Sequence, residues 1–201
     1  MRALAVFVTS KAYPGNLVIK DPQEQSGLRG ADEICRGLAA DALLPQSELF
    51  MAWLSDGDDS PATRFVPAEN GAAVRPYALL DGTLIAADWF ELADGVIENR
   101  INLTELWLVN NGEGDNVTVN FEEVWTNTSP HGESLGPGQS CGEWESASAD
   151  DAGRFGVTGD DGPDVPEGEG DKIGALWSQL GSHTCSTPRR LYCFEQPGVG
   201  E

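Results

Sequence analysis

Four cysteines, at positions 35, 141, 185 and 193, constrain this 201-residue chain more than any other feature. Their number is even, and no two stand in the C-x-x-C spacing used for structural zinc or thioredoxin-like chemistry. Two readings fit: two structural disulfides made in an oxidising compartment, or four buried thiols in a cytosolic protein. The first is the expectation here.

Hydrophobic residues make up 40% of the chain and include six Trp, enough for the core of one domain and too many for a disordered chain. Thirty-three acids against twelve Lys and Arg give a formal charge of −21. Polyanions are repelled, so nucleic acid, heparin-like glycans and anionic membranes are poor partners unless a cation bridges them. No apolar run approaches the roughly 18–20 residues of a helical membrane span. The apolar start, Ala3 to Val8, is shorter than the ~7–15 residues of a secretory leader core and lacks a cleavage site after it. It reads as a first core strand, and the chain as a domain excised from a longer precursor.

The pattern along the chain is α+β. Ala3 to Thr9 is a buried strand, and Tyr13-Pro14-Gly15-Asn16 is a turn. Leu28 to Leu44 places Ala31, Ile34, Cys35, Leu38, Ala39, Ala42 and Leu43 on one helical stripe, which Pro45 stops. Phe50 to Leu54 is a second strand. Tyr77 to Ala86 is a hairpin with Asp81-Gly82 in a tight primed turn, and Ala87 to Ala93 is a short helix with Trp89 and Leu92 inward. Strands are expected at Leu106–Val109, Val117–Phe121, Glu123–Thr128 and Leu191–Phe194. The stretch from about 145 to 174 is acidic: between Asp150 and Asp171 it holds eight acids and one base, Arg154. It reads as a long acidic loop inserted in a single 1–201 domain.

Seven segments then occur in order: Phe7-Val8-Thr9-Ser10, Gly30-Ala31-Asp32-Glu33-Ile34-Cys35, Ala52-Trp53-Leu54-Ser55, Asp81-Gly82-Thr83, Val124-Trp125-Thr126, Cys141-Gly142-Glu143-Trp144 and Arg190-Leu191-Tyr192-Cys193-Phe194. Together they resemble a bacterial domain of unknown function that is similar to the endostatin domain of collagens XV and XVIII. The resemblance runs from about Val6 to Gln196. It implies a C-type-lectin-like fold, a helix on a mixed, mostly antiparallel sheet with long irregular loops. It also implies nested disulfides, Cys35–Cys193 and Cys141–Cys185. Three features of the relatives are missing. There is no His before His131 to supply endostatin's zinc ligands, no cationic surface for heparin, and no Glu-Pro-Asn or Trp-Asn-Asp tripeptide for a calcium–sugar site.

Ser182-His183 and Ser129-Pro130-His131 put a hydroxyl beside an imidazole, but no nucleophile elbow accompanies them, and both His read as loop residues. No enzyme is expected, and a hydrolase of cell-surface polymers is the discounted alternative. Asn111 to Glu122 lacks the mid-loop glycine of an EF-hand, having Asn116 there. Asp160, Asp161, Asp164, Glu167, Glu169 and Asp171 gather oxygens that suit calcium, or else form a solvated acidic loop. Trp53, Trp89, Trp125, Trp144 and Trp177 read first as core. Of these, Trp144 and Trp177 flank the acidic loop and are the candidates to line a ligand groove. Asn102, Asn116 and Asn127 begin glycosylation sequons that a bacterial source leaves bare. The expectation is a secreted, surface-displayed or periplasmic recognition module for a protein or glycan, acting through the loops between Glu145 and Ser182. The alternative is a structural or oligomerisation domain.

Overall fold

A computed structural model describes residues 2–18, 27–65, 75–110, 112–114, 117–119, 121–159 and 174–198. Strand β1 (Leu4–Val8) is the centre of the fold. Its Leu4, Val6 and Val8 enter one apolar cluster, while Phe7 enters another on the opposite face. Burial on both faces explains why β1 reads as an unbroken apolar run rather than an alternating one. Helix α1 (Gly27–Asp41) leads to strand β2 (Phe50–Ala52), the one-turn helix α2 (Pro61–Arg64), and the hairpin β3 (Tyr77–Leu79) and β4 (Leu84–Ala86). Next come α3 (Trp89–Leu92), β5 (Glu123–Trp125), β6 (Ala152–Val157), β7 (Gly181–Thr184) and β8 (Tyr192–Glu195).

The first sheet has the order β2-β8-β1-β3-β4, with β1 parallel to β3 and every other pairing antiparallel. The second is antiparallel, β5-β6-β7. The molecule is therefore α+β with a mixed sheet and little helix. Both disulfides form as the resemblance implies: Cys35–Cys193 across 158 positions and Cys141–Cys185 across 44.

Helix α1 lies on the β2 side of the first sheet, with Ala31, Cys35, Leu38 and Ala39 buried. Cys35 is bridged to β8. Beside it the buried Asp32 carboxylate accepts from the Ala52 amide (2.9 Å) and pairs with Arg64 of α2, whose guanidinium also donates to the Leu54 carbonyl (3.0 Å). One helical turn of α1 thus holds β2 and the segment after it through a covalent bond and a buried ion pair.

Several expectations are corrected. The helix stops at Asp41, not Leu44. Leu43 adopts φ +56° and is 84% exposed, instead of lying on the buried stripe. The bonds Leu43 N to Ala40 O and Leu44 N to Ala39 O, both 2.9 Å, make a Schellman cap with Leu43 where glycine is usual. The β3–β4 hairpin turns through three residues, Leu80, Asp81 and Gly82, with Gly82 N bonded to Leu79 O and Leu79 N to Thr83 O. That is a type I turn closed by a glycine at φ +90°, not a two-residue primed turn. Leu106–Val109 is not a strand. Glu105–Trp107 forms a 3-10 turn capped by the Thr104 hydroxyl, and Leu108 and Val109 are left exposed. Around 117–121 only an isolated bridge, Leu103 with Thr118, is formed among the described residues.

The acidic stretch is also corrected, because its first half is strand β6, the central strand of the second sheet. Gly153, Phe155, Gly156 and Val157 are buried there. His183 stands on β7 rather than in a loop. Helix α3 caps on Asp88, whose carboxylate accepts from Glu91 N (3.0 Å), and, as expected, it buries Leu92 with Trp89 partly covered.

Replacing the exposed, left-handed Leu43 by glycine removes the steric cost of that conformation, which is about 1–2 kcal/mol, against a smaller gain in unfolded-chain entropy. Leu43→Gly is expected to raise unfolding stability by about 0.5–1 kcal/mol in a denaturant titration. A loss of stability would refute the cap.

Candidate recognition site

Between the two sheets lies a node of buried polar groups. Ser55, Thr126, Asn127, Thr128 and Ser178 are all fully buried, so each needs a partner inside the protein. The Ser178 hydroxyl accepts from the Trp53 indole N–H and donates to Thr128 O, both at 2.8 Å. Thr126 Oγ1 donates to Ser178 O (2.6 Å), and the hydroxyls of Ser55 and Thr128 bond each other (2.8 Å). The Trp144 indole N–H donates to Ser55 O (2.8 Å), and Asn127 Nδ2 donates to Ser55 O and Gly136 O. Three of the seven segments that carry the resemblance, around Trp53-Leu54-Ser55, Trp125-Thr126 and Cys141 to Trp144, meet at this node. Asn127 is committed to it, so its sequon is closed to modification.

The segment Cys141–Trp144 is a single left-handed turn. Its four residues have φ of 52°, 59°, 59° and 63°, and Trp144 N bonds Ser140 O at 2.6 Å. Only Gly142 is at ease there; for Cys141, Glu143 and Trp144 the conformation costs roughly 1–2 kcal/mol each. Four restraints hold it. Cys141 is bridged to Cys185. Trp144 is locked by its indole bond, and its carbonyl accepts from Leu17 N (2.9 Å). The Glu143 carboxylate accepts from Gly57 N (2.7 Å). The sulfur of Cys141 sits so close to β6 that a Cβ on Gly153 would lie 2.6 Å from it.

From this frame the chain departs at Gly159 and returns at Gly174. The outgoing limb is held where Thr158 and Glu122 exchange bonds, Thr158 N to Glu122 O and Glu122 N to Thr158 Oγ1, both 3.0 Å. The returning limb, a 3-10 turn at Ala175–Trp177, passes directly over β6: a Cβ on Gly156 would come within 2.0 Å of Trp177 O. Leu180 N then bonds Phe155 O (2.8 Å) and leads into β7. Both feet of the excursion are thereby fixed on one strand. Asp160, Asp161, Asp164, Glu167, Glu169 and Asp171, the expected calcium ligands, lie outside the described residues. Among the described residues, no group of three or more His, Cys, Asp or Glu is placed to hold a metal ion.

Trp144 and Trp177 do not line a groove. Both are buried, Trp144 against Trp125 and Trp177 against Trp53 and Tyr192. Their rings pack inside the core instead of being offered to a ligand. Sequence reasoning missed three residues that shape the same region. Arg189 is buried between the rings of Trp125 (4.5 Å) and Phe155 (4.7 Å) and pairs with Glu123; burial pushes its guanidinium pKa down, and Glu123 opposes that shift. Glu105 is buried and accepts from Ser10 N (2.9 Å) and the Ser10 hydroxyl. Burial, with a smaller contribution from Glu105, pushes the Tyr13 phenol up to about 12. Ser178 is the third; a serine in a turn carries no signal that it will join the core.

His131 bonds Ala93 O through Nδ1, and His183 accepts from Thr184 N. Neither imidazole bridges a hydroxyl and a carboxylate among the described residues. No helix there is long and apolar enough to cross a membrane. The chain matches no family model and no curated protein.

The contact over Gly156 is with backbone, which cannot rotate away. Gly156→Ala is therefore expected to cost about 1–3 kcal/mol of unfolding stability, whereas Gly138→Ala, with open space around it, is expected to be near neutral. Equal stabilities of the two variants in guanidinium titrations would show that the returning limb is not seated on β6.

Proposed function

We propose that this chain is a non-enzymatic, extracellular recognition module of C-type-lectin-like fold, related to the endostatin-like domains its sequence resembles. In this reading it binds a protein or glycan through the irregular segments between Glu145 and Ser182. The observation that carries it is the fixing of both feet of the 160–173 excursion on β6, over a core in which every neighbouring tryptophan is committed to support. Scaffolds of this kind place recognition on long connections held by a rigid frame. Two disulfides fit assembly in an oxidising compartment, as an exported protein requires. The placement of α1 against a mixed sheet, with Cys35 joined to the last strand, supports the lectin-like assignment.

Calcium is the ion this reading assigns to the acidic segment, on the oxygen donors of Asp160, Asp161, Asp164, Glu167, Glu169 and Asp171. Dense like charges repel, and a divalent cation relieves that repulsion. A glycan and peptide array probed with and without calcium is expected to give saturable hits that are lost when 160–171 is replaced by a neutral Gly/Ser segment. Calorimetric titration is expected to show calcium uptake lost in the same variant. An array without hits under either condition removes the recognition reading, and hits without calcium heat remove the ion alone.

A further inference from the structure

In a chain with thirty-three acids, a partly buried arginine is expected to find a partner. Arg36 pairs with Glu33, Arg64 with Asp32 and Arg189 with Glu123, and Arg190 lies 3.7 Å from Glu122. Arg75 donates to Arg2 O (3.1 Å), and Arg100 lies over the Phe121 ring. Arg154, on β6, breaks the pattern. It is partly buried, and among the described residues its guanidinium has no hydrogen bond, ion pair or ring contact. Of its three nitrogens, only Nε is enclosed, and the two Nη nitrogens reach the surface. Enclosure at Nε limits how the guanidinium can turn, so it offers its Nη pair outward as a fork that a carboxylate fits.

The strand register supplies its neighbours. Arg154 stands opposite Ser182 and Ala152 opposite Thr184, so Arg154, Ser182 and Thr184 share one face at the β7 edge of the second sheet. Ser182 is exposed, and its hydroxyl takes no bond among the described residues. Thr184 Oγ1 lies 3.3 Å from Ser186 Oγ and 3.2 Å from Thr187 Oγ1. The guanidinium thus heads a row of hydroxyls. Phe155 points to the other face, into the core, and Glu123 pairs with Arg189 beside it. Asp151, just before β6, accepts from the Ser146 hydroxyl. Neither acid answers Arg154.

Two conditions define the occupant. It is anionic, because it completes an unpaired charge, and its charge is sparse, because a chain at −21 repels polyanions. Hydroxyls beside the guanidinium, able both to donate and to accept, suit a ligand that is itself rich in hydroxyls. A neutral glycan bearing one carboxylate meets both conditions.

We propose that Arg154, with Ser182 and Thr184, binds the carboxylate of a uronic acid in an otherwise neutral glycan. This rests on the recognition reading and narrows its ligand from protein or glycan to a sugar acid.

The test is an NMR titration of the whole, isotope-labelled chain with methyl glucuronide. The controls are methyl glucoside, which lacks only the carboxylate, and N-acetylglutamate N-methylamide, which carries a carboxylate on a peptide unit. Saturable shifts are expected at the Arg154 Nε–H and at the Ser182 and Thr184 amides, with a dissociation constant on the order of millimolar. The glucoside is expected to bind at least about tenfold more weakly, since it forgoes a charge-assisted hydrogen bond. The glutamate derivative, which forgoes the sugar hydroxyls, is expected to bind about threefold more weakly. Arg154→Gln is expected to lose at least about tenfold in affinity for the glucuronide and Ser182→Ala about threefold, with the amide spectrum otherwise unchanged. Should Arg154→Gln fail to fold, Ser182→Ala and the glucoside comparison carry the test. Equal binding by Arg154→Gln, or shifts confined to other surfaces, overturns the site. Equal binding of the glucoside removes the carboxylate, and equal or tighter binding of the glutamate derivative hands the site to acidic protein; either result overturns the proposal. Array hits that persist unchanged in Arg154→Gln overturn it while sparing the recognition module. An array blank for every glycan and peptide, with glucuronide still bound at Arg154, removes the wider reading and keeps the site.

Discussion

The bridge between Cys141 and Cys185 is the constraint on which the second half of the molecule depends. It fixes a left-handed turn in which three non-glycine residues together forgo roughly 3–6 kcal/mol. In the chain-entropy account a loop of this length returns about 4 kcal/mol through the unfolded state. The indole bond of Trp144, the Glu143 bond to Gly57 and the Leu17 bond to the Trp144 carbonyl add to it. Strain of this size survives only where several contacts determine it together. Its consequence is positional. Turning left-handed aims Trp144 into the polar node while Cys141 stays against β6, and one short turn thereby joins the two sheets.

The outer bridge does different work. Cys35–Cys193 joins α1 to the strand beside β1, and Asp32 with Arg64 repeats the tie one helical turn away. Breaking that buried pair by removing one partner would leave a charge stranded in the interior. The sheet itself is local in neither direction, since β1 pairs with β8 from the far end of the chain. Covalent closure of that long loop and the continuous apolar character of β1 therefore act on the same contact. With both faces of the first sheet covered, its loops are free to vary at the surface.

Much of this was legible in the sequence. The resemblance motifs named the disulfide partners, and their tryptophans proved to be core. The helix was visible in its spacing, but its end was not: Leu43 fits the periodic stripe, and only tertiary packing decides that the chain turns left-handed first. Strand β6 was concealed because composition was averaged over an acidic stretch. Its Ala-Gly-Arg-Phe-Gly-Val pattern relies on glycines whose missing side chains make room for Cys141 and for the Trp177 backbone. Leu106–Val109 misled in the opposite way: its pattern suggested a strand, whereas Leu108 and Val109 face solvent. Arg189 and Ser178 gave no advance signal. Their roles come from enclosure by residues distant in sequence.

The scheme stands or falls on whether the inner bridge and the left-handed turn hold the polar node closed. Hydrogen exchange at the Trp144 indole N–H, followed by NMR in the native chain and in the Cys141→Ala, Cys185→Ala double variant, addresses this directly. Protection of that indole is predicted to collapse in the variant while the amides of β1 and β8, held by the outer bridge, keep theirs. An indole equally protected in both proteins would contradict the account, because the turn and the node would then persist without the bond said to maintain them.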